Sequence, residues 1–376
     1  MSGHVRQRGK KGQWYAVIDV LEGGKRKRCW HKLENCNGKR EAEKACAQLI
    51  AQQVEGTYVE RSKMAVAEFV RERINQWEAA GNITPRTAQR YRQLAENQIA
   101  PHLGAKALQK LSRLDIEAWH TTLRNGGLAA RTIGHAHRLL GTALRDAERD
   151  GLVVKNVCKL QKAPKVAETE MVIVQDVPGF VSRLRQAVDT PRYARAILGL
   201  FAGMRLGEVL ALRERSVDLD KGIIEVREAL EETGAHGIRF KSLKTKAGRR
   251  NITLPDIAIE AVREYRKQLL ERRLLLGQGR LAPDDLLFGN LEGRPLRTSA
   301  MSSDWGDVAE RLGMPEITFH GLRHTHVSHL IAANVDIVTI SKRIGHSKPS
   351  VTLAIYAHMF HTDDSKAAAA INTALR

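Results

Sequence analysis

Residues 197 to 213 read Ile-Leu-Gly-Leu-Phe-Ala-Gly-Met-Arg-Leu-Gly-Glu-Val-Leu-Ala-Leu-Arg. A stretch this apolar has to leave water, so a domain core must be built around it. Before its end only Arg205 and Glu208 interrupt it. Three positions apart, the two are expected on one face of a helix. A charge in such surroundings is costly unless it is paired or meets an anion. Two readings stay open at this point: a buried Arg–Glu pair, or an arginine aimed at phosphate with Glu208 as its support.

The whole chain has 376 residues, more than one typical core holds, so two or three domains are expected. Hydrophobic content of 43% permits packed cores, while aromatics of 5% and abundant Ala, Leu and Arg favour helices over an all-β fold. The expected class is mostly α with small β elements (α+β).

Residues 1–62 form a first segment. Gln13 to Val20 is rich in strand formers, Glu22-Gly23-Gly24-Lys25 reads as a turn, and Lys25 to Trp30 as the returning strand. Glu41 to Val54 has helical composition, so a small sheet backed by one helix is expected. Arg6, Arg8, Lys10, Lys11, Lys25, Arg26, Lys27 and Arg28 cluster around this hairpin. They suit a DNA groove or simply a solvated surface.

Residues 63–160 should be a compact helical domain. Val66 to Glu78 is periodic, Thr84-Pro85 reads as cap and first helical position, and Arg86 to Ile99 follows, ended by Pro101 and Gly104. Ser112 caps a helix to Arg124, and Ala129 to Asp150 is stopped by Gly151. Arg86, Arg90, Arg131, His135 and Arg138 supply basic faces for DNA, against the alternative of ordinary surface charge. Residues 161–170 read as a polar linker, and residues 171–376 are long enough for a domain of their own.

Net charge is +19, which favours a polyanionic partner, and nucleic acid first, because phosphate neutralisation releases counterions. No apolar run is long enough to span a bilayer, and the basic N-terminus lacks the apolar region of a signal peptide. A cytoplasmic, nucleoid-associated protein without a membrane partner is expected. Cys29, Cys36, Cys46 and Cys158 show no Cys-x-x-Cys spacing and are read as reduced thiols.

Three further motifs lie beyond the linker. Ser242 to Pro255 looks like a β-hairpin, with Ala247-Gly248 near its turn and Ile223 to Val226 as a preceding strand. A lysine at its tip is able to protonate a leaving oxygen, or is surface charge. Thr318 is a plausible N-cap for a helix in which His320 and Arg323 share a face near the positive helix end. His320 and His324 have metal-ligand spacing but lack the glutamate of the zinc-protease motif and a clear third ligand, so no metal is expected. Ile340 to Ser347 ends a helix at Gly345, and Val351 to Phe360, carrying Tyr356, starts the next.

Taken in order, Arg205, Lys244, His320-x-x-Arg323, His346 and Tyr356 resemble the tyrosine recombinase, or phage integrase, family. The local wording agrees: Gly203-Met204-Arg205-Leu206-Gly207-Glu208, Lys244-Thr245-Lys246, His320-Gly321-Leu322-Arg323-His324, Gly345-His346-Ser347, and Thr352 four before Tyr356. Ile344 stands where the family usually has leucine. The resemblance implies a small three-stranded-sheet arm-binding domain (1–62), a helical core-binding domain (63–160) and a mixed, mainly helical catalytic domain (171–376). It implies Tyr356 as nucleophile, Arg205 and Arg323 as a phosphate clamp, and His320 and His346 as hydrogen-bonding and proton-moving groups. Lys244, preferred to Lys246 by its Lys-Thr position, is the implied acid for the leaving 5′-hydroxyl, and Glu208 the implied support.

The implied reaction is site-specific DNA recombination through a 3′-phosphotyrosine and a Holliday junction, integrating or excising a phage or genomic island. It needs no cofactor. Implied partners are double-stranded DNA at core and arm attachment sites, three further copies in a homotetramer, and accessory bending or excision factors. The tail from Ser365 to Leu375 is expected on a neighbouring protomer or on its own domain. Alternatives are a type IB topoisomerase-like enzyme, a chromosome-dimer-resolving recombinase, or a DNA-binding regulator.

Overall fold

The structure is a computed structural model. It describes residues 3–8, 12–22, 25–34, 36–54, 59, 62–167, 171–234, 237–243, 248–359 and 371–375, the side chains of 20–22, 25–27 and 53 excepted. It is predominantly helical with small sheets and divides into two compact units, Met1–Ala167 and Glu168–Arg376.

The first unit opens with β1 (Gly3–Arg8), β2 (Gln13–Glu22) and β3 (Lys25–Lys32), paired antiparallel in that order. β1 is a strand the hairpin pattern did not indicate. Strand side chains alternate between faces. Ala16 and Ile18, with Trp14 beside them, therefore face α1 (Lys39–Val54) and pack with Leu33, Ala42 and Cys46. The opposite face carries Arg6 in register with Tyr15, and Tyr15 in register with Lys32.

The helical remainder of this unit packs around Trp119, Ile99, Ile133 and Leu140, a cluster separate from the one beneath the sheet. Its helices are α2 (Val66–Ala79), α3 (Pro85–Leu94), α4 (Ala100–Leu103), α5 (Arg113–Asn125) and α6 (Ala130–Arg149). Thr84 caps α3 by accepting from the Thr87 amide, and Ser112 and Asp115 cap α5 reciprocally. Pro101 does not end the third helix as expected. A wide turn over Ala95–Ile99 lets the Ala100 amide reach the Ala95 carbonyl. Pro101 thereby falls in the first turn of α4, where its missing N–H costs nothing.

The second unit contains α7 (Val177–Ala187), α8 (Thr190–Phe201) and α9 (Leu206–Leu210). Then come β4 (Val217–Asp218), β5 (Ile223–Val226), β6 (Glu228–Thr233), β7 (Gly237–Ser242) and β8 (Arg250–Thr253). α10 (Asp256–Leu275), α11 (Thr298–Arg311), α12 (Phe319–Ala332), α13 (Ile337–Ile344) and α14 (Pro349–Tyr356) follow. The apolar run behaves as its composition demands: α8 is buried along most of its length, and α10 and α12 pack against it.

The run is not one helix, however. Gly203, at a φ of +63°, breaks it, and Arg205 stands at the N-cap of α9, outside any helix face. The expected hairpin over 242–255 is also corrected. β7 pairs with β6, whereas β8 pairs with β5. β8 turns Arg250 and Ile252 inward while β7 stays largely exposed, so the two strands complete different sheets.

Candidate active site

α12 supplies the first group of side chains. Thr318 caps it by accepting from the Gly321 amide at 3.0 Å. From that start His320, Arg323 and His324 fall at i, i+3 and i+4, on one face. Arg323 is only 2% exposed. A buried guanidinium needs acceptors. Its two terminal nitrogens donate to the carbonyls of Gly203 and Ile344, each at 2.5 Å. Both carbonyls come from chain reversals that need a left-handed glycine, Gly203 itself and Gly345 at φ +70°. A Cβ on Gly203 would also lie 2.6 Å from the His326 ring.

The break after α8 supplies the second group. Arg205 donates from its backbone and its guanidinium to Glu208, at 3.0 and 2.9 Å. Glu208 is 1% exposed and is held on its other side by buried Arg250, through two bonds of 3.1 and 2.8 Å. Burial alone would push this carboxyl up, but the hydrogen bonds and charge of Arg250, with Arg205, hold it at about 2. The buried Arg–Glu pair exists, but Arg250 makes it, and the Arg205 side chain stays 40% exposed.

α13 and α14 close the pocket. His346 Nδ1 and the hydroxyl of buried Thr352 are hydrogen-bonded at 2.9 Å. Tyr356 is 2% exposed, and its hydroxyl lies 2.6 Å from His324 Nδ1. Burial raises the Tyr356 phenol to about 12, against a smaller opposing pull from Arg323.

These groups sense one another. Arg323 is lowered to about 9 by burial and then by the charge of Arg205. His346 is lowered to about 4 by burial, then by Arg323, Arg205, His320 and Arg250. His320 falls to about 4 by burial, then by His324, Arg323 and Arg205. Positive groups gathered around a single buried carboxylate make a pocket that favours an incoming anion.

The structure thus brings Arg205, Glu208, His320, Arg323, His346 and Tyr356 into one site. Lys244 and Lys246 lie outside the described residues. Arg250 and His324 belong to the pocket without having been singled out for it. Arg250 had a faint signal, a charge at an inward-alternating strand position beside Ile252. His324 had none beyond its α12 spacing.

Among the expected DNA-binding residues, Arg90, Arg131 and Arg138 all bear on His135, and Arg131, His135 and Arg138 are exposed along one face of α6. Arg86 is exposed on α3. Arg6 and Arg8 lie on the outer sheet face with Tyr15, Trp30 and Lys32, and Arg28 there pairs with Asp19 at 3.0 Å. Lys10 and Lys11 lie outside the described residues, as do the side chains of Lys25 and Arg26. Among the described residues no cluster of three His, Cys, Asp or Glu is placed to hold a metal, and no helix is long and apolar enough to cross a membrane.

Known proteins share this fold. The model of the phage integrase family matches residues 180–362, and that of the phage integrase N-terminal SAM-like domain matches residues 69–124. A tyrosine recombinase XerC-like protein of Caldanaerobacter subterraneus is 25% identical over 70% of this chain and 71% of its own. An integrase of Streptomyces ambofaciens is 26% identical over 92% of this chain and 89% of its own. Among solved structures, the Tn1549 transposon integrase with transposon right-end DNA superposes with a TM-score of 0.70 at 21% identity, covering 83% of this chain and 100% of that one. Lambda integrase, as a tetramer on a Holliday junction, superposes with a TM-score of 0.55 at 16% identity, covering 93% and 97%.

Proposed function

Because the chain belongs to the phage integrase family of tyrosine recombinases, enzymes that cleave and rejoin DNA strands, we propose that the Arg205–Arg323 pocket is its cleavage site and Tyr356 its nucleophile. The observation that carries this reading is the convergence of two arginines, two low-titrating histidines and a tyrosine on one anion-seeking pocket.

Arg205 faces the phosphate directly, since its side chain reaches solvent. Its planar fork suits two non-bridging oxygens, which gain charge as phosphorus becomes five-coordinate. Arg323 supplies positive charge from the pocket floor. His320 and His346 add hydrogen bonds to those oxygens. Glu208 does no proton transfer; it holds Arg205 in place. Lys244 protonates the leaving 5′-oxygen, and the product is a 3′-phosphotyrosine whose bond energy serves rejoining. A phenol that is 2% exposed cannot attack until DNA engagement opens access to it.

The same reading assigns core-site DNA to the basic face of α3 and α6, and arm-site DNA to the outer face of the β1–β3 sheet. Strand exchange then proceeds through a Holliday junction in a homotetramer, on nucleoid DNA, with accessory bending or excision factors setting direction. Arm-site binding suits an integrase that moves a phage or genomic island better than a topoisomerase, which has no use for distal sites. Nicked suicide substrates bearing candidate attachment sites test the assignment. Tyr356→Phe should bind them with unchanged affinity and trap no covalent complex; a trapped complex in that variant rejects Tyr356.

A further inference from the structure

The closest partner of the Tyr356 hydroxyl among the described residues is neither His320 nor His346. We propose that His324 is the general base that takes the phenolic proton as Tyr356 attacks the DNA phosphate. This rests on the reading of Tyr356 as nucleophile.

Geometry carries the assignment. The His324 Nδ1 and Tyr356 Oη atoms are 2.6 Å apart, inside the reach a proton transfer requires. His346 has its Nδ1 committed to Thr352. His320 stands edge-on to the His324 ring, with centroids 4.7 Å apart, and no described bond joins it to the phenol. The groups facing His324 are Arg323 and His320 from its own helix and Tyr356 from α14. Within the same helix, Ser328 donates to the His324 carbonyl at 2.9 Å.

The chemistry requires such a base. At about 12, the phenol does not ionise by itself near neutral pH. Burial, and then the charge of Arg323, lower His324 from its ordinary value, so the imidazole is neutral and keeps a lone pair for the phenol hydrogen. Full transfer ahead of attack is strongly uphill between groups so mismatched. Transfer concerted with attack is not, because the oxygen loses its basicity as it bonds to phosphorus. The Oη–phosphorus bond forms, the bond from phosphorus to the 5′-oxygen breaks, and that oxygen takes a proton from a separate acid. The phenolic proton ends on His324 Nδ1 and returns to the phenol when the 5′-hydroxyl rejoins the strand.

Single-turnover cleavage of nicked suicide substrates by the full chain tests this, with peptide mapping of the covalent adduct in parallel. His324→Asn places an amide oxygen near the Nδ1 position, so it keeps a hydrogen bond but holds no proton. The rate of adduct formation should fall by roughly 10²-fold or more with DNA affinity unchanged. His324→Gly should be rescued by imidazoles added to solution, increasingly with the basicity of the added amine, a response that a purely structural role does not produce. A wild-type rate in His324→Asn overturns the proposal. So does a faster rate, which would make the bond a restraint on the tyrosine, or a rescue indifferent to basicity. An adduct mapped to another residue rejects the Tyr356 reading itself and is recognisable without any His324 variant.

Discussion

Two cationic regions of this molecule differ in almost everything but sign. The pocket of the second unit holds Arg323, Arg250, Arg205, His320 and His346 around buried Glu208, and the titrations of Glu208, Arg323, His320 and His346 are all displaced downward. The α6 face of the first unit carries Arg131, His135 and Arg138 in water, and His135 is displaced downward by modest burial and its arginine neighbours. Burial makes the difference. Low dielectric amplifies each charge in the pocket and leaves every member dependent on the others, while solvent and salt screen the exposed face. A region that does chemistry needs the first condition, and a region that grips a long polyanion needs only the second.

Substitutions can break or sharpen that contrast. Glu208→Ala should have the largest effect, because it leaves Arg250 buried without its carboxylate; a loss of about 3–5 kcal/mol in denaturant unfolding is expected. A change under about 1 kcal/mol would mean that the pocket tolerates an unpaired charge as a surface does. Arg205→Lys keeps the charge but removes the planar fork. Cleavage should drop by about 10²–10³-fold while DNA binding changes little. Near-normal cleavage would reduce the pocket to a source of charge alone. Arg131→Ala should have the smallest effect: a modest, sequence-independent weakening of binding, with the slope of log affinity against log salt reduced by about 0.9. An unchanged slope would remove Arg131 from the DNA-binding face.

The two regions were also unequally legible. The helices bearing the exposed face follow from local signals, such as the Thr84-Pro85 start, the Ser112 cap and Gly151 after α6. Each acts within a few residues, and so it survives in the linear pattern. The pocket's members were legible as types in an order that resembles a family. Its wiring was not. Arg205 looked like a mid-helix residue because nothing in its composition marks Gly203 as left-handed. The stretch 242–255 looked like a hairpin because β7 and β8 both read as strands, and strand character does not say which neighbour each one pairs with.

What the sequence determined by itself is the inventory: an apolar run that must be buried, helices bounded by their own caps, an excess of positive charge, and six residues in a recognisable order. Tertiary structure alone decided the partnerships. Glu208 is bound to Arg250, 42 positions away, and His324 meets Tyr356, 32 positions away. Capping and periodicity act over a few residues along the backbone, whereas burial and hydrogen-bond satisfaction are settled only when distant segments compete for the same interior space.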